Sequence, residues 1–145
     1  MNVLISACLM GMECRYNGAG YYVEELQDLK DRCHLIPVCP EIYGGLQTPR
    51  DPAEIQKNRV ITSAGTDVTA QYQKGAQEIL KLAQFYNCSY AILKERSPSC
   101  GFGYIYDGTF SGKLIEGSGL TADLLSREGI CIIGETKLKE FVDKL

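Results

Sequence analysis

Four short apolar runs rich in β-branched residues recur along the chain: Val3–Cys8, Leu35–Cys39, Tyr90–Lys94 and Ile130–Ile133. Each is too brief for a helix and is bounded by turn-forming residues, the pattern of a buried strand. The segments between them carry apolar residues at helical spacing instead. Val23, Leu26 and Leu29 predict a helix over Tyr22–Arg32. Val68, Tyr72, Ile79, Leu80 and Ala83 predict a longer one that Asp67 or Thr69 can cap and that ends near Asn87. A short helix capped by Thr121 and closed by Gly129 follows, and Leu138, Phe141, Val142 and Leu145 form a final amphipathic helix. Strands alternating with helices pair in parallel and are covered on both faces. The expected fold class is α/β: a single three-layer, Rossmann-like domain over residues 1–145 with about four parallel strands, flanking helices and a β-hairpin insertion. The hairpin is read from Gly103–Gly112, where Tyr104, Tyr106 and Phe110 alternate around Asp107 and Gly108. Pro37 puts the second strand at an edge or interrupts it, and Pro40–Asn58, with Gly44, Gly45, Pro49 and Pro52, reads as a long ordered loop.

At 145 residues the chain can bury an ordinary core without cross-links. Its seven cysteines are an odd number, and the start MNVLISACLMG lacks the basic segment and the apolar length of a secretory signal. A reducing cytoplasm is the expected setting, where clustered cysteines serve metals or catalysis rather than disulfides. No run approaches the ~20 apolar residues of a membrane span. The net charge of −3 argues against a broad nucleic-acid-binding face, which needs clustered Lys and Arg. A small neutral or weakly charged substrate fits better.

Position sorts the cysteines. Cys8, Cys39 and Cys100 each stand where an apolar run gives way to a loop, and in a parallel sheet those strand ends share one edge. Three distant thiols can therefore converge on one metal site. Cysteine also packs well at strand ends, and no CxxC pair of the kind found in zinc ribbons and ferredoxins is present, so spacing alone leaves both readings open. Gly44 and Gly45 after Cys39, and Gly101 and Gly103 beside Cys100, allow backbone amides to turn toward a thiolate. Cys14, six residues after Cys8, competes for a fourth position. Cys33 and Cys88 precede strands at the opposite edge and read as packing, and Cys131 within Ile130–Ile133 reads as inert core.

Glu41 follows Cys39 by two residues and Ser99 directly precedes Cys100, so both belong near anything those cysteines hold. A carboxylate and a hydroxyl beside a Lewis acid are groups that activate water. A cap or ion pair for Glu41, and a turn for Ser99, are the plain alternatives. His34, the only histidine, starts a strand far from that edge and reads as structural. The stretch GFGYIYDG lacks the GxGxxG spacing of a dinucleotide loop. Arg15, Arg50, Lys94 and Arg96 fall near the cysteines, either as a small anion or substrate pocket or as solubilising surface.

The segments SACLMG, RYNG, PVCPEIYGGLQTPRDPAEI, GTDVTAQYQKGA, AILKERSPSCGFGYIYDGTFSGKLIEGSGLTADLL and GICIIGE resemble the thiouracil desulfidase family from Val3 to about Glu135. That resemblance implies an iron-sulfur enzyme whose [4Fe-4S] cluster is held by Cys8, Cys39 and Cys100, with the fourth iron free of protein. It implies redox-neutral desulfuration of 2- or 4-thiouracil, or a related base or nucleoside, to uracil and sulfide, with Glu41 and Ser99 as the acid/base pair. The implied partner is a small thiolated pyrimidine, with no membrane and no nucleic acid bound by this domain alone. Tyr104 or Tyr106 is placed either to stack on a pyrimidine or to pack the hairpin. Cys14 on the fourth iron would close the cluster. Two competing readings use the same cysteines without turnover: a sensing module holding zinc or a redox-responsive cluster, and a structural zinc site with Cys14 as fourth ligand.

Overall fold

The computed structural model describes residues 1–145. In chain order its elements are β1 (Asn2–Ser6), β2 (His34–Val38), α1 (Pro40–Tyr43), β3 (Ala53–Gln56), β4 (Arg59–Thr62), α2 (Thr69–Phe85), β5 (Tyr90–Leu93), β6 (Tyr104–Tyr106), β7 (Leu114–Glu116), α3 (Leu120–Arg127), β8 (Cys131–Gly134) and α4 (Leu138–Asp143). The centre is a parallel four-stranded sheet in the order β2-β1-β5-β8, and the remaining strands form two small antiparallel hairpins, β3-β4 and β6-β7. β1 lies between β2 and β5, with Val3 opposite both Leu35 and Tyr90.

The alternation of side chains along these strands separates two cores. Val3, Ile5, Ile92 and Ile133 point to one face and pack with Leu26, Leu29, Leu138 and Val142. Leu4, Ala91 and Leu93 point to the other and pack with Ile79, Ala83 and Leu125 of α2 and α3. Leu4, Ile5, Leu29, Ile79, Ile92 and Leu125 are fully buried, each contributing roughly 1.5–3 kcal/mol relative to exposure. The result is the expected three-layer α/β arrangement. No helix is long and apolar enough to cross a membrane.

Several expectations require correction. Tyr22–Arg32 is not an α-helix but a 3₁₀ turn at Glu24–Asp28 followed by turns, in which i→i+3 bonds such as Leu29 N to Leu26 O bury the same leucines with a tighter winding. Pro40–Asn58 is not one loop: it contains α1 and the strand β3, which turns into β4 through Lys57 and Asn58, both at positive φ as a two-residue hairpin turn requires. The later hairpin does not turn at Asp107 and Gly108. These begin a wider connection to β7, whose strand lies beyond Gly112. Thr121 does not cap α3; Gly119 occupies that place, because a Cβ there would meet the Ser99 carbonyl at 2.5 Å. Cys131 is exposed rather than core, since it opens the edge strand β8. Cys33 and Cys88 are buried as expected, and Pro37 lies in an edge strand.

Candidate functional site

β1, β2 and β5 run parallel, so their carboxyl ends meet at one sheet edge. The chain leaves β1 for β2 on one side and returns through α2 to β5 on the other, which makes the β1–β5 junction the switch point where open α/β sheets bind ligands. A cavity of about 620 Å³ opens there, a size suited to a small molecule. Cys8, Cys14, Cys39, Cys100 and Glu41 all line it.

Local structure aims each thiol. Cys8 sits in a 3₁₀ turn (Ala7–Met10) that Gly11 ends at φ 92, its N–H bonded to the Cys8 carbonyl at 3.0 Å. Cys39 ends the second strand's run, and Pro40 starts α1 directly after it, where a missing N–H is harmless. Cys100 lies in a turn whose Ser97 hydroxyl accepts the N–H groups of Ser99 and Cys100, both at 3.0 Å.

Burial raises the thiol pKa values at Cys8, to about 11, and more strongly at Cys100. The Lys94 ammonium opposes the rise at Cys8, and the Ser6 hydroxyl opposes it at Cys100. Cys39 differs. Its Sγ donates to the Cys14 carbonyl at 3.9 Å, and the adjacent Cys14 thiol lowers its pKa against its own burial, with the Ile42 N–H assisting, while Cys14 is raised in turn by Cys39. Cys14 thus stands inside the cavity as the immediate neighbour of Cys39.

Glu41 accepts from Arg50 Nε at 2.9 Å and from Arg50 Nη2, with both side chains nearly enclosed. Tyr72, predicted only as a helix-face residue, lies against the same carboxylate and lines the cavity. Ser99 is placed differently. It is fully buried behind the wall that Pro98 and Cys100 form, and its Oγ shares a 2.8 Å hydrogen bond with Thr121 Oγ1. Thr121 resembled a helix cap in sequence, and nothing in the spacing linked it to Ser99. All four basic residues line the cavity, and two of them are paired within it: Arg50 is engaged by Glu41, and Lys94 Nζ lies 2.8 Å from Glu135 Oε2 and 4.5 Å over the Tyr21 ring. Arg15 lies beside the rings of Tyr16 and Tyr21, and Arg96 is exposed at φ 70. Tyr106 lines the cavity, whereas Tyr104 is 58% exposed outside it. His34 bonds Asn2 at the start of β2, away from the cavity.

No group of three or more His, Cys, Asp or Glu side chains is close enough together to hold a single metal ion. Thiols supplied by separate segments around one cavity are the ligands an iron-sulfur group takes, each cysteine binding its own iron atom. The donor chemistry, sulfur throughout, agrees with that choice.

Comparison with known proteins adds three findings. The sequence model of the 2-thiouracil desulfurase family matches residues 3–137. The uncharacterized protein YbbK of Bacillus subtilis (strain 168) is 45% identical over 150 aligned positions, covering 97% of this chain and 99% of that protein. The solved structure of a [4Fe-4S]-dependent thiouracil desulfidase, TudS, superposes with a TM-score of 0.90 at 41% identity, covering 99% of this chain and 96% of that one.

Proposed function

The chain belongs to the 2-thiouracil desulfurase family, and from that premise we propose that it removes sulfur from a thiolated uracil by means of a [4Fe-4S] cluster. The products are uracil and sulfide, with no net redox change, and the substrate is 2- or 4-thiouracil or a related base or nucleoside. Residues 1–145 form the catalytic domain, with Cys8, Cys39 and Cys100 as cluster ligands. The observation that carries this reading is the convergence of four cysteine thiols and the Glu41 carboxylate in a single cavity at the sheet edge. When bound, the cluster supplies a soft Lewis-acidic iron that prefers sulfur to oxygen, which distinguishes a thiocarbonyl from an ordinary uracil.

The chain's own residues do the rest. Glu41 takes a proton from the water that attacks the ring carbon. Ser99 is the proposed second proton-handling group; it lies behind the Pro98–Cys100 wall in its bond to Thr121, so this role requires it to leave that bond and turn toward the cavity. Tyr106, Phe110, Pro52 and Pro98 offer apolar wall against the flat ring and exclude bulk water from it. Cys14 stays beside Cys39 and off the cluster, which Cys8, Cys39 and Cys100 would hold.

Anaerobic reconstitution tests the reading. About four iron and four sulfide per chain are expected, the content of one cubane cluster, with sulfide released on addition of 2-thiouracil or 4-thiouracil. Cys8→Ala, Cys39→Ala and Cys100→Ala should each remove both cluster and turnover. A fully loaded protein that releases no sulfide from either substrate would overturn the enzymatic reading in favour of a sensing module.

A further inference from the structure

We propose that Arg50 is a positioning residue that locks the Glu41 carboxylate at the cavity wall through a guanidinium with every N–H engaged. The inference rests on the reading of Glu41 as a proton-handling group. Arginine has five N–H donors, and each has an acceptor here. Nε donates to Glu41 Oε2 at 2.9 Å, and Nη2 donates to that same oxygen and to the Cys14 carbonyl at 3.0 Å. Nη1 donates to the Gln47 carbonyl at 3.1 Å and to Thr48 Oγ1 at 3.0 Å. The Arg50 backbone N–H donates to the Tyr16 carbonyl at 2.8 Å. One residue therefore joins the Cys14 loop, α1 and the turn at residues 47–50, three segments that border the site.

The fork is what matters. Two donors falling on one carboxylate oxygen fix the position of that oxygen, and the remaining three fix the guanidinium itself. The pair is largely enclosed, at 10% and 13% side-chain exposure, yet it faces the cavity and not either sheet core. A buried ion pair adds little net stability compared with apolar packing. Its place beside the thiols fits orientation better than stabilisation. Lysine keeps the charge but supplies donors from a single point on a flexible stem, so it cannot reproduce the fork.

The experiment compares cluster-loaded wild type, Arg50→Lys, Arg50→Ala, Glu41→Gln and the Arg50→Lys/Glu41→Gln double variant. Arg50→Lys is expected to keep its iron and thermal stability and to lose about 10- to 100-fold in kcat with KM little changed, the penalty of a misplaced catalytic group. Added guanidinium ion is expected to restore part of the kcat of Arg50→Ala. In cluster-free Arg50→Ala the same ion should give a saturable rise in melting temperature that disappears when Glu41→Gln is added. The double variant should be no slower than Glu41→Gln alone. Wild-type kcat in Arg50→Lys while Glu41→Gln is slow, losses that multiply in the double variant, or loss of iron with an unchanged rate per cluster would each overturn the inference. Wild-type kcat in Glu41→Gln would instead remove the reading beneath it.

Discussion

A thiol must lose its proton before it can bind iron, so the order in which the cavity sulfurs ionise sets the order in which they become available. Cys39 is lowered to about 7 by the Cys14 thiol, while burial raises Cys8 to about 11. In cluster-free protein, alkylation of Cys39 should set in at clearly lower pH than alkylation of Cys8. Cys14→Ala removes the neighbouring thiol and should move the onset at Cys39 upward; peptide-level mass spectrometry of the alkylated protein measures both. An unmoved onset would mean that Cys14 does not control Cys39. Cys131 is also open to alkylation because its thiol is exposed, and Cys131→Ser should change stability by no more than ~0.5 kcal/mol in a denaturant titration. The sequence indicated which cysteines share an edge, because strand ends are legible from apolar runs. It could not indicate that Cys131 opens an edge strand, or that Ser99 meets Thr121, since both depend on how distant segments pair.

The long helix α2 was legible because its apolar stripe and its start signal agree, although Asp67 acts one step outside the helix. Its Oδ1 accepts the Thr69 N–H at 2.9 Å and the Thr69 hydroxyl at 2.6 Å, while Thr69 Oγ1 accepts the Val60 N–H at 2.8 Å. This ties the helix start to β4. The Thr69 hydroxyl and N–H, with Arg59, hold the Asp67 carboxyl down at about 2, below its ordinary 3.8. A depressed carboxylate stabilises the fold above its unfolded pKa and loses that contribution as pH falls toward the folded value. The melting temperatures of wild type and Asp67→Asn should therefore differ above pH 4 and converge as pH approaches about 2. A second contact was invisible beforehand because it joins backbone to backbone. A Cβ on Gly75 of α2 would stand 2.0 Å from the Pro40 carbonyl, and one on Gly44 would stand 2.0 Å from the Gln71 carbonyl. Only glycine lets α2 approach the segment that carries Glu41. Gly75→Ala should cost roughly 1–3 kcal/mol by overpacking, and it should lower turnover more than a surface substitution of equal stability effect, because the displaced element bears the carboxylate. The hairpin β3-β4 had a sequence signal too: two short runs separated by Lys57 and Asn58. The prolines and glycines before it obscured that spacing.

The sheet order places thiols from three separate segments at one edge, so whatever they hold acts as a strut across β1, β2 and the turn after β5. A ligand that binds only the folded chain stabilises it by mass action, about 2.7 kcal/mol when present at a hundredfold over its dissociation constant. For a chain of this length that corresponds to a melting temperature on the order of 5–10 °C higher in the loaded protein than after chelation and oxidation have stripped it. The variants separate an open cluster from a closed one. Cys8→Ala, Cys39→Ala and Cys100→Ala should melt near the stripped wild type whether or not iron and sulfide are supplied. Cys14→Ser should keep the full cluster-dependent rise together with turnover, because a residue that only neighbours Cys39 supplies no ligand to the cluster. Loss of the rise in Cys14→Ser would make Cys14 a fourth ligand, close the iron that the substrate needs and shift the molecule to the non-catalytic reading. The α/β topology was readable from alternating runs, and it is the topology that brings the edge together. The sequence also brought Cys14 to this site through its closeness to Cys8, but not its role there, since the path of the Cys14 loop is set by its contacts with Arg50 and with Cys8 of the first turn. The melting series therefore tests the one part of the site that strand-end logic could not fix: whether the thiol that no strand end supplies binds iron or only stands beside another sulfur.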